Sequence, residues 1–225
     1  PVSPDGTVHR SSIVPTWAGV NVVKVFSEAL NTIVLADNES NCSAIAELMW
    51  GAAAGEPDFV LFKVDLGVGG AIVNNGELIR GIAGGSGEFG HFSLDPEGEL
   101  CRCGNRGCLE LKANFRRPLR ELENAHGREF TVEEAVTMAL EGDAGARRLI
   151  ADTADVAGRG LAMIGAFLNP PLILIGGLLV LTGPIFMEPL LSSYERHAHL
   201  KSRDLPTQWR TRIIPGALLM KDVVL

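Results

Sequence analysis

The chain has 225 residues, of which 46% are hydrophobic and 26 are glycine, and its formal net charge is −7. This length and composition predict a folded α/β protein with a sizeable core and argue against disorder. The acidic balance argues that the segment is not itself a nucleic-acid-binding surface. The longest apolar run, 172–181, contains two glycines and is too short to span a bilayer, so no membrane partner is expected.

The first part of the chain is predicted to form a helix, a strand and a second helix. Apolar spacing predicts a helix over 17–30, and the β-branched run TIVLA predicts a buried strand over 32–36. A second helix is predicted over 39–51, with Asn38 as its N-terminal cap. This order places the polar residues 37–39 at the carboxyl end of a strand, where open α/β sheets collect ligand-binding groups.

The middle of the chain is predicted to form a hairpin followed by helices. Strands are predicted over 59–64 and 70–73, and the sequence NNGE after the second strand predicts a hairpin turn. A helix is predicted over 109–125. The sequence TVEE at Thr131 then predicts a capping box at the start of another helix.

The last part of the chain alternates helices and strands. A long helix is predicted from Asp143 to 168, where an Asn-Pro-Pro sequence ends it. A strand over 172–175, a helix from Pro184 to about 198 and a strand over 211–214 follow. Strands that alternate with helices indicate a sheet with helical faces.

Three cysteines fall within eight residues, at Cys101, Cys103 and Cys108, and His91 lies ten residues before the first of them. Thiolates and a neutral imidazole are the ligands that a tetrahedral structural zinc prefers. A disulfide between Cys101 and Cys103 is sterically poor, and three reduced cysteines without a metal are the other alternative. We therefore predict a closed zinc site that holds a loop in place, in a protein of the reducing cytoplasm.

A set of polar side chains lies near strand ends and in glycine-rich turns: Asn38, Glu39, Glu88, His91 and Glu110. A zinc ion bound by His91 would draw Glu88 and Glu110 into one neighbourhood. Carboxylates, an amide and an imidazole in one cleft suit a sugar, because each hydroxyl donates to a carboxylate and accepts from an N–H. Each residue alone could be a solvated acid or a helix cap, but the group predicts a sugar site.

Two glycine-rich turns could bring backbone N–H groups close to a phosphate or nucleotide. They contain Gly67, Gly69 and Gly70 in the first turn and Gly176 and Gly177 in the second. The alternative is that these glycines allow close packing of strands. Since neither turn has a lysine, serine or threonine close by to meet phosphate or magnesium, both interpretations stay open.

The sequence GEFGH followed by CRCGNRGCLE resembles the signature of the ROK family, which groups bacterial sugar-responsive repressors with sugar kinases. SSIVPTWAGVNV, ADNESN, DLGVGGAIVNNGELIRG and NPPLILIGG resemble further segments of that family, so the resemblance covers most of the chain. It implies the actin-like, ribonuclease-H-like sugar kinase fold, an α/β fold with two lobes and a ligand cleft. Residues 1–38 would be the remainder of an incomplete N-terminal lobe. Residues 39–225 would be a C-terminal lobe that contains a zinc loop over 91–108 and is truncated at its last helix.

Carried over residue by residue, the resemblance makes His91, Cys101, Cys103 and Cys108 the zinc ligands. It makes Asn38, Glu39, Glu88, His91 and Glu110 the sugar contacts.

Three departures from the family pattern bear on phosphoryl transfer. The chain lacks the Asp-Gly-Gly-Thr phosphate loop of the kinases. The aspartate that serves as their general base corresponds to Glu39, and a displacement of about 1 Å can cost about 10²-fold in rate. The kinase Gly-Thr-Gly turn reads Asp65-Leu66-Gly67, which places a carboxylate where phosphate charge would gather.

These departures imply the sugar-sensing effector region of a transcriptional regulator. Such a regulator would bind a monosaccharide or derivative, contact DNA through a winged helix outside this chain, and assemble as a homodimer or homotetramer. The alternative is a glucokinase-like, ATP-dependent sugar kinase with Glu39 as general base, which would also require magnesium.

Overall fold

The computed structural model describes residues 2–9 and 15–218, which are organised around a five-stranded sheet of order β3-β2-β1-β4-β5. The strands are β1 (Phe59–Val64), β2 (Val68–Asn74), β3 (Glu77–Leu78), β4 (Leu172–Gly176) and β5 (Arg212–Pro215). The sheet is mixed, because β1 pairs antiparallel with β2 and parallel with β4. Part of SSIVPTWAGVNV and the C-terminal end of the predicted 39–225 lobe lie outside the described residues.

Seven α-helices lie in the described part of the chain. They are α1 (Val22–Leu30), α2 (Glu39–Trp50), α3 (Leu109–Ala113), α4 (Arg116–His126), α5 (Val132–Glu141), α6 (Ala144–Leu168) and α7 (Pro184–His197). None of the helices in this part is both long and apolar enough to cross a membrane.

The two central strands are buried on both faces. Phe62 and Ile173 belong to the larger core, to which α6 also contributes, whereas Phe59 and Leu172 belong to a smaller core with Ala44 of α2. Successive strand residues point to opposite faces, so the apolar runs of β1 and β4 supply both cores. The sheet therefore lies between helical layers, as the strand and helix order predicts.

Local signals predicted several elements correctly. Asn38 caps α2, and its Oδ1 accepts a hydrogen bond from the N–H of Ser40 at 2.9 Å. The β2–β3 hairpin turns at Asn75 and Gly76, both with positive φ, which is the backbone that a tight hairpin requires. Thr131 forms the predicted capping box at the start of α5.

The predicted buried strand over 32–36 is wrong. These residues form no strand, and the side chains of Ile33 and Leu35 are 90% and 91% exposed. A strand needs a hydrogen-bonded neighbour and a face to bury, and the described residues supply neither to this segment.

Two predicted helices have different bounds. The helix predicted over 17–30 begins at Val22, because Gly19 has φ +81° and Asn21 caps the helix through the N–H of Lys24. The helix predicted over 109–125 is divided into α3 and α4. Asn114 lies at the break, where its Oδ1 accepts from the N–H of Arg116 at 2.8 Å.

Candidate functional site

The side chains of His91, Cys101, Cys103 and Cys108 meet, and their ligand atoms all lie within 4.8 Å of one another. The Sγ atoms of Cys103 and Cys108 are 3.6 Å apart, and Sγ of Cys101 lies 3.7 Å from Nδ1 of His91. In a tetrahedral site with Zn–S bonds of about 2.3 Å, two sulfurs lie about 3.8 Å apart. The four side chains therefore fit a closed tetrahedral metal site.

The Cys108 thiol needs a cation nearby in order to ionise. Burial raises the pKa of the Cys108 thiol to about 12, and hydrogen bonds with Cys103 and Cys101 contribute to the rise. Cys108 is buried, so a thiolate there would be costly without a compensating cation. A divalent cation would supply that charge, and its binding would release protons.

Glycines and backbone hydrogen bonds shape the loop that carries the cysteines. Gly104 and Gly107 both have positive φ, and a Cβ on Gly107 would overlap the backbone of Asp95. The N–H of Cys101 donates to the carbonyl of Asn105 at 2.7 Å. We call residues 92–108 the metal loop.

A cavity of about 870 Å³ adjoins the metal loop. All five predicted sugar contacts line it: Asn38, Glu39, Glu88, His91 and Glu110. They are contributed by the start of α2, by the segment before the metal loop and by α3. The fold thus brings together residues that are far apart in the sequence.

His91 joins the two parts of the site. It lies in a short 3-10 helix, Phe89–His91, with Nδ1 facing the sulfurs and Nε2 at 3.9 Å from Oε2 of Glu88. A neutral imidazole that binds a metal through Nδ1 carries its proton on Nε2. His91 would then offer the cavity an N–H donor beside the Glu88 carboxylate.

The glycines of the first predicted phosphate turn have two different surroundings. Gly67 and Gly69 line the cavity. A Cβ on Gly69 would lie 2.6 Å from Oγ of Ser40, and one on Gly67 would lie 3.4 Å from Oε2 of Glu110. Gly69 therefore makes room for the start of α2 at the cavity wall, whereas a Cβ on Gly67 would be in ordinary contact with Glu110.

The other predicted glycines do not line this cavity. A Cβ on Gly70 would overlap the ring of Phe89, and one on Gly177 would overlap the carbonyl of Val64. A Cβ on Gly176 would be in ordinary contact with Leu61. At Gly70 and Gly177 the surroundings favour the interpretation that glycine allows close packing of the backbone.

Lys63 is a cavity residue that the sequence analysis missed. Its Nζ lies 2.5 Å from Oε1 of Glu39, and its side chain is only 13% exposed. Lys63 is the single charged residue of β1, a strand with a neighbour on each side. A lysine in such a strand must find a charged or polar partner, and that signal could have identified it.

Arg102 is a second cation that the sequence analysis did not identify. It lies between Cys101 and Cys103 in the sequence, and its Nη2 is 2.8 Å from Oε1 and 3.0 Å from Oε2 of Glu110. The N–H of Val68 also approaches Oε2 of Glu110, at 3.4 Å. The Glu110 carboxylate is therefore held from both the metal loop and β2.

Asp65 places a further carboxyl group at the cavity wall. Burial raises the pKa of this carboxyl, although a hydrogen bond from the N–H of Leu178 and the charge of Lys63 both act to lower it.

Fold and site together define an α/β protein with a mixed sheet and a cysteine-rich metal loop beside a polar cleft. The sequence model of the ROK family matches residues 1–212, and the chain belongs to the ROK family. It is 28% identical over 176 residues to the xylose repressor of Bacillus subtilis (strain 168), with 78% of this chain and 46% of that protein covered.

The chain is also similar to kinases. It is 30% identical over 197 residues to the glucokinase of Halalkalibacterium halodurans, with 81% of this chain and 60% of that protein covered. The solved structure of a ROK glucokinase from Streptomyces griseus in complex with glucose and AMPPNP aligns with a TM-score of 0.86 and 24% identity. That alignment covers 99% of this chain and 76% of the other. The fold is thus the actin-like, ribonuclease-H-like fold of the ROK sugar kinases, and the chain spans about half the length of the matching repressor.

Proposed function

We propose that this chain is the sugar-sensing effector region of a ROK-family transcriptional regulator. A monosaccharide or derivative binds in the cavity beside the metal loop, and its binding alters DNA affinity through a winged helix outside residues 1–225. The xylose repressor supports a regulator, and the glucokinase bound to glucose supports a sugar as the ligand.

The cavity has the polar groups that a sugar requires. Carboxylates of Glu39, Glu88 and Glu110 accept hydrogen bonds, whereas Asn38 and His91 can donate them. A zinc ion held by His91 and the three cysteines would be structural, because four protein ligands leave no open position for water. Its role would be to fix the metal loop, so that His91 and Glu110 face the ligand.

The ion pair between Lys63 and Glu39 is the observation that favours a sensor over a kinase. A general base must accept the proton of the reacting hydroxyl, and an ammonium group already donates to Oε1 of Glu39. The Asp65 carboxyl beside the phosphate turn adds an acid that would repel a nucleotide phosphate when ionised. Glu39 is then a ligand-binding residue, held in place by Lys63.

The remaining features of the whole protein follow from this assignment and are part of the proposal. Residues 1–38 belong to an N-terminal lobe and 39–225 to a C-terminal lobe, with the ligand in the cleft. The protein acts in the cytoplasm. It assembles as a homodimer or homotetramer, since a change in the relative geometry of lobes or subunits can transmit ligand binding to DNA.

The second candidate is an ATP-dependent sugar kinase, which the 30% identity to a glucokinase favours. In that case Glu39 would be the general base, ATP and magnesium would be required, and Gly67, Gly69, Gly70, Gly176 and Gly177 would be nucleotide-side residues.

Two measurements on the purified full-length protein separate these functions. Isothermal titration with D-glucose, D-xylose and their phosphates should give heat for at least one sugar, and no heat from any of them contradicts the sensor. A coupled assay with ATP, magnesium and D-glucose should show no turnover. A rate above about 1 s⁻¹, which is ordinary for an enzyme, would establish the kinase instead.

A further inference from the structure

The contact between Arg102 and Glu110 connects the metal loop with the wall of the cavity. Arg102 is flanked in sequence by two of the metal-site cysteines, and its guanidinium reaches both carboxylate oxygens of Glu110. Glu110 is only 8% exposed. A buried carboxylate needs compensation by a cation or by hydrogen-bond donors, and Arg102 provides both.

Arg102 has donors beyond those that Glu110 uses. A guanidinium carries five N–H donors in a rigid fork, and the contact to Glu110 uses Nη2. The groups at Nε and Nη1 have no hydrogen-bond partner within residues 2–9 and 15–218. Since the Arg102 side chain is 38% exposed and lines the cavity, these donors are accessible to a ligand.

Acids outnumber cations in the cavity wall, so further charged N–H donors beside an acid have a use there. Five acids line it: Glu39, Asp65, Glu88, Glu110 and Glu133. A sugar hydroxyl bound between two groups donates to one and accepts from the other. Arg102 lies beside Glu110 and can complete such a pair.

We propose that Arg102 is a specificity-determining residue that contacts the ligand. One hydroxyl of the sugar donates to the Glu110 carboxylate and accepts from the Arg102 guanidinium, so the metal loop contributes a ligand contact of its own. This inference rests on the proposed sugar-binding function. The competing interpretation is that Arg102 only neutralises Glu110 and never touches the sugar.

The experiment compares wild-type protein with Arg102→Gln and Arg102→Lys by isothermal titration with D-glucose and D-xylose. Arg106→Gln is the matched control, because Arg106 lies on the same loop but is exposed and donates to the carbonyl of Gly98. The zinc content of each variant, measured by plasma mass spectrometry, should stay at one per chain, which excludes collapse of the loop.

We expect Arg102→Gln to raise Kd about 10- to 100-fold, since hydrogen bonds from charged groups are the stronger ones. Arg102→Lys should restore only part of the affinity, and Arg106→Gln should change Kd less than twofold. A deoxy sugar that lacks the contacted hydroxyl should bind the wild type and Arg102→Gln with similar Kd.

The results that would contradict the role of Arg102 differ from the result that would contradict sugar binding itself. If the wild type binds a sugar and Arg102→Gln binds it within twofold, Arg102 has no role and the inference is wrong. If Arg102→Gln weakens every deoxy analogue by the same factor, Arg102 acts only through Glu110 and the ligand contact is wrong. If the wild type binds neither D-glucose nor D-xylose nor their phosphates, the proposed function fails and the inference fails with it.

Discussion

The ammonium group of Lys63 lies 2.5 Å from Oε1 of Glu39, so the first residue of α2 is joined to the central strand β1 by an ion pair. The pair lies at the cavity wall, where Lys63 also acts on the Asp65 carboxyl. One lysine therefore compensates charge on two acids, one at the start of α2 and one directly after β1. The ion pair holds the Glu39 carboxylate in place as a hydrogen-bond acceptor for a ligand. It does not leave Glu39 free to act as a general base.

Replacement of Lys63 by methionine should raise the pKa of the Asp65 carboxyl further. The ammonium favours the ionised form, and its removal leaves burial as the dominant influence on the pKa. Carbon-13 NMR of the side-chain carboxyl would measure the titration. Lys112→Met is the control, because Lys112 pairs with the exposed Asp95 on the metal loop. An unchanged or lowered pKa in Lys63→Met would show that Lys63 does not act on Asp65.

Replacement of Asp65 by asparagine should stabilise the protein at neutral pH. Because the folded-state pKa of Asp65 is raised, the folded protein binds the proton more tightly than the unfolded chain does. The free energy of unfolding is therefore undiminished by Asp65 below the ordinary carboxyl pKa, and it falls as the pH rises through the folded-state pKa. Asparagine stays neutral throughout and keeps an oxygen that can accept from the N–H of Leu178.

Urea denaturation of the wild type and Asp65→Asn at pH 7 and pH 4 tests this expectation. The advantage of the variant should shrink at the lower pH, and the exposed control Asp204→Asn should show no such dependence. A gain that grows toward acidic pH would contradict the assigned direction of the pKa shift.

Replacement of Cys108 by serine should remove the metal and destabilise the metal loop. A serine hydroxyl stays protonated at neutral pH and is a poor substitute for a thiolate ligand. Zinc content should fall from one per chain to near zero, and the midpoint of urea denaturation should fall with it. Cys42→Ser is the matched control, because Cys42 is exposed on α2 and outside the cluster. Full zinc occupancy in Cys108→Ser would rule out the proposed ligand set.

Replacement of Thr131 by alanine should cost about 1 kcal/mol of stability, because it removes the N-terminal cap of α5. The side chain of Thr131 accepts from the N–H of Glu134 at 3.2 Å, and Glu134 accepts from the N–H of Thr131 at 2.8 Å. Thr137→Ala is the control, because Thr137 lies inside the same helix and its hydroxyl only contacts the carbonyl of Glu133. Alanine is a better helix former than threonine, so Thr137→Ala should be neutral or stabilising. Equal losses from both changes would contradict a specific capping effect.

Features that depend on neighbouring residues in the sequence were predictable. Asn38, Thr131 and the NNGE turn carry their own hydrogen-bonding or backbone signal, and the cysteine cluster spans few residues. The cavity was expected from strand ends, but the strand predicted before residues 37–39 does not form, and Asn38 and Glu39 reach the cavity wall from the start of α2.

Features that depend on tertiary contacts were not predictable from local pattern. The segment 32–36 has the composition of a strand, yet Ile33 and Leu35 are exposed because no described strand pairs with it. The ion pairs of Lys63 and Arg102 join residues whose approach is decided by the packing of β1, α2 and α3. The division between α3 and α4 had a local signal, the short side chain of Asn114, which the apolar periodicity concealed.

We propose that a bound metal fixes the metal loop, so that His91, Arg102 and Glu110 face a sugar. The decisive measurement is titration of D-glucose and D-xylose into zinc-loaded protein and into protein from which a chelator has removed the zinc. We predict that the loaded protein binds at least one of these sugars and that removal of zinc raises Kd at least about tenfold. Equal affinity with and without the metal would contradict the account.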